Sequence, residues 1–520
     1  MFDLSSPALS LLPPVIVLVL GITTRRVLFS LVCGLVSASF LATQGAIGKS
    51  ITLLATRAWQ NVDLPALQSW EALSNSQPLL VFFFLAFLGI MVTLLEHSGG
   101  AAAYATAIRT RLRSARQVER TSLLLSLCFF IDDYFSSLTV GTIMRPLTDH
   151  FKVPRVKLAF LVDSLAAPIS ILVPVSSWVA VIISQLQKVG IGAQGVASTT
   201  IIGDPFMGYL YAIPFIAYSF ILIFATWFIV QKRISFGPMR QHELIAQKEN
   251  NMFGGRRPRL RALKLNVPEN ANPSLFDFAV PMALVLLSVG IGLLWTGNHT
   301  WFGGSNNLLT ALLTANSFLA LAGGILVAFL GSVLFLRLRN VIILSQLPAL
   351  MFHGFMLMAP AMLILLLCWT FGDLLCQDLH TGNYLAQVLV GSIPLWLLPL
   401  LFFVVAGVTS FSMGSSWGTV AIIIPIAVPM LLSLSGITQP VELMSLSLLF
   451  PVIGAILSGA VLGDHISPIS DTTVMSATST GSYHIDHVYT QFVYVVPVFV
   501  GACVSFVLAG LTCTWGLTTM

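Results

Sequence analysis

The sequence predicts an all-α polytopic membrane protein of two halves, an inverted-topology repeat with five full spans and one re-entrant hairpin in each half. Three observations carry that prediction. Of the 520 residues, 56% are hydrophobic and only 9% are charged, whereas soluble domains carry about 25% charged residues. Apolar runs long enough to cross a bilayer recur near residues 7–24, 27–44, 78–95, 208–231, 278–296, 316–336, 348–371 and 490–515. If these runs alternate in direction, 22 of the 25 Lys and Arg fall on one side, the cytoplasmic one, leaving only Lys49, Arg57 and Lys188 outside.

Taken in order, the N-terminus lacks the basic region of a cleaved signal peptide, so residues 7–23 read as a retained first span. Arg25 and Arg26 follow it and place the N-terminus outside. Residues 45–77 form an outer loop with an interfacial helix around Trp59, and the third span returns inward to the five arginines of 109–120. Residues 121–144 are flanked by that cluster and by Arg145, Lys152, Arg155 and Lys157. A full crossing would strand one basic flank outside, so the segment reads as a hairpin entering and leaving on the cytoplasmic side, with Asp132 and Asp133 at its tip. Residues 158–186 are 29 residues, more than the roughly 20 a straight span needs, which predicts unwinding around DSLAAPIS. The run at 208–231 closes the first half (1–231) and leads to a basic cytoplasmic linker, 232–277, with nine Lys and Arg.

The second half, 278–520, repeats the plan upside down. Residues 278–296 go out, 316–336 go in to Arg337 and Arg339, and 348–371 go out again. Residues 394–434 are two apolar arms around SFSMGSSWGT, a second hairpin entering from outside; 442–480 is a long broken span and 490–515 the last crossing, with the C-terminus outside. The six cysteines are scattered and form no CxxC pair, which excludes a zinc or disulfide framework. The net charge of +5 reflects orientation in the membrane, and no aromatic-interleaved basic module points to nucleic acid.

Polar residues inside this apolar frame mark the candidate site. Each ionisable group at membrane depth costs about 2.5–3.5 kcal/mol on insertion scales, and backbone broken there must pack in protein or line a wet cavity. DHISPIS (464–470) and DSLAAPIS (163–170) have the same outline, which suggests that the chain contains its site twice. Asp163 with Ser164, and Asp464 with Ser467, Ser470, Asp471, Thr472 and Thr473, offer hard oxygen ligands beside freed carbonyls, suited to a small alkali cation such as Na+ at Asp464, Asp471 and Asp163. Capping of their own broken helices is the bland alternative. Asp132 and Asp133, beside Ser136, Ser137 and Thr139, cannot both ionise easily at low dielectric, so a cation would compete with a proton there. His465 could relay protons or simply pack. SSW occurs at Ser176-Ser177-Trp178 and again at Ser415-Ser416-Trp417, followed by Thr419; small hydroxyl residues suit close helix approach or cavity lining. No phosphate-cradling motif, HExxH or nucleophile elbow is present, which disfavours an ATP-driven pump or an intramembrane protease; no enzymatic activity is expected.

FFIDDYFSSLTVGTIMRPLTD (129–149), KLAFLVDSLAAPISILVPVSSW (157–178), GSSWGT (414–419) and SGAVLGDHISPISDTT (458–473) together resemble the NhaC-type sodium/proton antiporter family. The resemblance spans about residues 10–510. It implies a bacterial inner-membrane secondary carrier, commonly a homodimer, linked to Na+ and H+ and needing no cofactor, with Asp132, Asp133, Asp163, Asp464 and Asp471 at the acidic positions. Sodium- or proton-coupled transport of a small carboxylate or amino acid is the alternative within the same group; a channel is the alternative outside it.

Overall fold

A computed structural model describes residues 7–518 except 25–26, 101–102, 104–111, 131, 194–198, 258–273, 309, 312–314, 382–383, 385–386, 389–392, 438–439 and 469. Arg25, Arg26, the start of the arginine run at 109–111 and much of the linker therefore lie outside the described residues. The apolar runs fold as helices, because in lipid every backbone polar group has to find its partner within the protein. The first half contains α1 (Leu12–Thr24), α2 (Val27–Ala42), α3 (Ile47–Val62), α4 (Trp70–Asn75), α5 (Gln77–Ser98), α6 (Ala115–Cys128), α7 (Asp133–His150), α8 (Arg155–Ser170), α9 (Ser177–Lys188), α10 (Pro205–Ala212) and α11 (Ala217–Lys232). The linker contributes α12 (Gly237–Glu249). The second half contains α13 (Phe276–Thr296), α14 (Ser317–Leu338), α15 (Leu347–Asp373), α16 (Leu398–Met413), α17 (Ser416–Leu434), α18 (Leu449–Ile466), α19 (Asp471–Thr480) and α20 (His484–Thr518). Among the described residues eight helices are long and apolar enough to cross a membrane, ten if each of two bent pairs counts as one span.

Burial sorts these helices into a centre and a periphery. In α18, 94% of residues are buried, against 33% in α13, so α18 is the axis of the bundle and α13 faces its surroundings. Small residues let α16 come close to it: a Cβ on Gly463 would fall 2.2 Å from the Gly407 carbonyl oxygen, and one on Gly459 would fall 2.3 Å from that of Phe403.

Two sets of ion pairs tie helix ends together. Glu119 at the start of α6 meets Lys157 of α8 at 3.0 Å and Arg233 after α11 at 3.7 Å. Asp149 at the end of α7 takes two hydrogen bonds from Arg155, at 3.1 and 2.8 Å. The start of α6 and the end of α7 are thus both tied to the first turn of α8. In the second set Arg57 grips Asp378 through two hydrogen bonds of 3.2 and 2.9 Å, and Lys188 meets Asp373 at 3.3 Å. Arg57 and Lys188 are two of the three basic residues expected outside, and both are paired here, apart from the first set.

Four details differ from the sequence expectations. The fold is not purely helical: Ile191–Gly192, Ile201–Ile202 and Val441–Glu442 form a small parallel sheet where inter-helix segments cross and pair their free backbone groups. The run at 208–231 is divided by a tight turn at Ile213–Phe215, where Pro214 lacks the donor a continuous helix needs. DSLAAPIS does not unwind: α8 runs through Asp163 and Pro168 to Ser170, and the break falls at 171–176, around a second proline, Pro174. Lys157, counted in the basic flank of the first hairpin, is 1% exposed because Glu119 and Glu243 enclose it.

The glycine contacts give a first prediction. Gly463→Leu should force α16 off α18 and lower stability by about 1–3 kcal/mol or more, measurable as an earlier thermal unfolding midpoint in detergent, whereas the same change at Gly290, where a Cβ meets nothing within 4 Å, should leave the midpoint near wild type.

Candidate functional site

Two breaks in the deepest helices create the site. Between α8 and α9 the chain is non-helical at 171–176, and Ser176 crosses the gap to donate its hydroxyl to the Ser170 carbonyl at 2.5 Å. Between α18 and α19 the break includes Ser467, Pro468 and Ser470; Ser467 donates to the Phe411 carbonyl at 2.7 Å, and Ser470 caps α19 by accepting from the Thr473 N–H at 3.3 Å. Proline with short hydroxyl side chains explains these breaks: proline ends the helical ladder, and the hydroxyls satisfy the backbone that it frees.

Asp132 and Asp133 open α7 and are 0% and 3% exposed. Asp133 accepts a hydrogen bond from the Trp178 indole at 3.1 Å. Trp178 packs edge-on against Trp417, ring centroids 6.2 Å apart and planes at 76°. The two SSW motifs thus do the same thing: each puts its Trp on the second residue of a helix that starts at a break, and the two rings meet. Asp132 directly precedes Asp133, so two buried carboxylates stand side by side at the start of α7. Asp464, in the last turn of α18, accepts from the Thr472 hydroxyl at 2.8 Å. The main chain of Asp471 begins α19, but its side chain lies outside the described residues.

Asp163 lies in a different setting. Its carboxylate accepts from His487 Nε2 at 3.2 Å, Gln491 Nε2 at 3.0 Å and Ser476 Oγ at 3.2 Å. His465 Nε2 stands 4.0 Å from the same carboxylate and 3.3 Å from Ser164 Oγ, while its Nδ1 shares a 2.8 Å hydrogen bond with the Tyr218 hydroxyl. Gln491 also donates to the His465 carbonyl. His487, Gln491 and Tyr218 are not among the residues that the sequence pattern marks. The signal for two of them was legible: His484, His487 and Gln491 recur at spacings of three and four, a single helix face, at the start of an otherwise apolar span.

The hydroxyls divide in the same way. Ser415 caps α17, Thr419 donates to the Ser415 carbonyl at 2.9 Å, Ser416 to that of Ala460 at 3.2 Å, and Thr473 to that of Asp464 at 3.4 Å. These are structural bonds. Ser136, Ser137, Thr139 and Ser177 are at most 1% exposed, and their hydroxyl oxygens have no hydrogen-bond partner among the described residues, which is unusual for buried polar atoms. Among the described residues no three His, Cys, Asp or Glu side chains converge as a metal cage. A small cation would draw its remaining oxygens from these hydroxyls and from carbonyls at the breaks.

Carboxylates and unpartnered hydroxyls on interrupted helices, within a bundle whose outer helices are apolar, are the features of a secondary transporter. The chain belongs to the Na+/H+ antiporter family, whose profile matches residues 169–511. It is 30% identical over 516 residues to an uncharacterized protein of Haemophilus influenzae, covering 98% of this chain and 92% of that one. It is 31% identical over 107 residues to the malate-2H(+)/Na(+)-lactate antiporter of Bacillus subtilis, a match covering 21% of this chain and 20% of that protein. Among solved structures it is similar to the Alcanivorax borkumensis YdaH transporter (TM-score 0.43, 14% identity, 90% of this chain and 98% of that one) and to Neisseria gonorrhoeae MtrF, described among antimetabolite efflux pumps (TM-score 0.41, 14% identity, 92% and 85%).

The two kinds of polar group should respond differently to truncation. His487→Ala removes one of the three side chains that donate to a buried carboxylate and should cost about 1–3 kcal/mol. Ser136→Ala removes a hydroxyl that no described group uses and should cost under about 0.5 kcal/mol. Chemical denaturation of the purified protein in detergent would compare them.

Proposed function

We propose that this chain is a sodium/proton antiporter that works by alternating access between two inverted halves. The observation that carries the reading is the group around Asp133. Its carboxylate is held by Trp178, directly follows Asp132 in the chain, and lies on the same helix as the unpartnered hydroxyls of Ser136, Ser137 and Thr139. Neighbouring carboxylates at low dielectric cannot all stay ionised, so the group holds either protons or a cation, and one displaces the other. Asp163, with His465 and His487, is the second proton-bearing group in this reading. Na+ and H+ are the coupled ions, no cofactor takes part, and the setting is the bacterial inner membrane, with both termini outside and a homodimer as the working assembly.

A second reading, sodium- or proton-coupled transport of a small organic solute such as a carboxylate or amino acid, is favoured by one observation: the partial match to a protein that moves malate and lactate. The free hydroxyls could equally donate to a carboxylate.

Reconstituted in proteoliposomes with an imposed pH gradient, the wild-type chain should dissipate the gradient when Na+ is added. Asp464→Asn and Asp133→Asn should each slow that dissipation by at least about a hundredfold, as expected when a buried charge that recognises the transported ion is removed (roughly 2.7 kcal/mol or more). Full activity in either mutant would refute the assignment. Absence of a sodium response with stimulation by malate or lactate would select the second reading.

A further inference from the structure

We infer that the described part of the linker, α12 and the turn after it up to Arg257, is a strap that holds one face of the carrier shut, and that its release sets turnover. The strap lies across the ends of the helices that build the Asp163 cage. Glu243 of α12 pairs with Lys157 two turns before Asp163 on α8, in a contact where Lys157 is 1% exposed and Glu243 8%. Lys157 also pairs with Glu119 of α6 at 3.0 Å, so one buried ammonium ties α6, α8 and α12 together. Beyond α12 the turn adds a second set of ties. The Met252 carbonyl accepts from the Arg155 N–H at 3.2 Å, and the Phe253 ring lies 4.5 Å under the Arg155 guanidinium, which also holds Asp149 and reaches the Gly481 carbonyl at 3.5 Å. Arg256 pairs with Asp486 at 3.0 Å and lies over the Tyr483 ring, and the Tyr483 hydroxyl donates to the Arg257 carbonyl at 3.0 Å.

These contacts close the ends of α7, α8, α19 and α20 against one another. The carboxylate of Asp163 receives Ser476 from α19 and His487 and Gln491 from α20, so neither helix can leave α8 on this side while the strap is in place. At the far end of α9 the bundle is open: a cavity of about 680 Å³ is lined by Ser184, Lys188, Asp204, Asn316, Trp369 and Gln377, among others. The conformation is therefore closed on the strapped face and hollow on the other. A buried ion pair is a suitable catch, because parting it exposes charges that are stable either fully paired or fully hydrated, with little between.

Removing Glu243 would leave Lys157 less compensated and could unfold the chain, so the test uses the outer ties. Arg256→Gln and Phe253→Ala are compared with Arg337→Gln, a control arginine whose side chain bonds the nearby Asn340. The full-length proteins are studied in nanodiscs by backbone hydrogen exchange and in proteoliposomes by transport. Each outer contact is worth about two- to fivefold in an opening equilibrium. Both strap variants should speed amide exchange in 155–163 and 481–491, and raise turnover, by that factor, with the control at wild-type values. Unchanged exchange in those segments overturns the strap whatever the cargo proves to be. Faster exchange with unchanged or slower turnover makes the contact a structural tie and overturns its gating role. The turnover arm rests on the antiport reading; if wild-type protein moves no Na+ against protons, that reading fails separately and hydrogen exchange alone decides the strap.

Discussion

The carboxylate of Asp163 constrains more of this molecule than any other group. At 3% exposure it has lost its water, and an ion in such a place has to be met by donors. The donors come from far along the chain: Ser476 on α19, His487 and Gln491 on α20. For these to reach α8, the chain after α18 must stop, turn and come back beside it. The break around Ser467 to Ser470 makes that possible, and Gly141 of α7 leaves room for it, since a Cβ there would sit 2.0 Å from the Ser479 hydroxyl. One buried charge thus dictates a broken helix, a glycine and the placement of the last span.

The stretch with Asp464 and His465 has the complementary property. These adjacent residues close α18 but face different groups: Asp464 takes the Thr472 hydroxyl, whereas His465 bonds Tyr218 and Ser164 and approaches Asp163. Because they share one helical turn, a rotation or shift that changes the surroundings of one changes the other. The two groups are joined by a rigid element that rises about 1.5 Å per residue.

The helices were legible because lipid and a crowded interior both reward long apolar runs. Arg57 and Lys188 pair with Asp378 and Asp373, while Lys157 and Arg155 pair with Glu119 and Asp149. Within the site the carboxylates were legible, because an Asp in an apolar run is too costly to stand there without a partner or a task. What they would touch was not. DSLAAPIS and DHISPIS look like copies, yet the first stays helical to Ser170 and the second breaks after Ile466. One residue fewer between Asp and Pro shifts where the proline removes its hydrogen bond, and a sequence pattern does not record that register. The SSW pair, which suited either helix packing or cavity lining, is the closer structural match, and its two rings meet at 6.2 Å. His487 and Gln491 were overlooked because polar residues near a span end are usually solvated there, and only the turn at 481–483 brings them inside.

This difference between the sequence copies bears on how an exchange carrier could be built. Two equivalent sites would bind two ions with equal preference and hold them independently. Here the likeness is kept at the paired tryptophans and is lost at the carboxylates. Asp133 has an indole, the adjacent Asp132 and free hydroxyls on its own helix, an environment that a compact cation can complete with oxygen ligands. Asp163 is already met by His487, Gln491 and Ser476, which leaves little space for a cation but sets an imidazole beside the carboxylate. Dissimilar surroundings for similar residues are what would let one fold distinguish two ions, and the shared turn of Asp464 and His465 is what would keep two binding events in step.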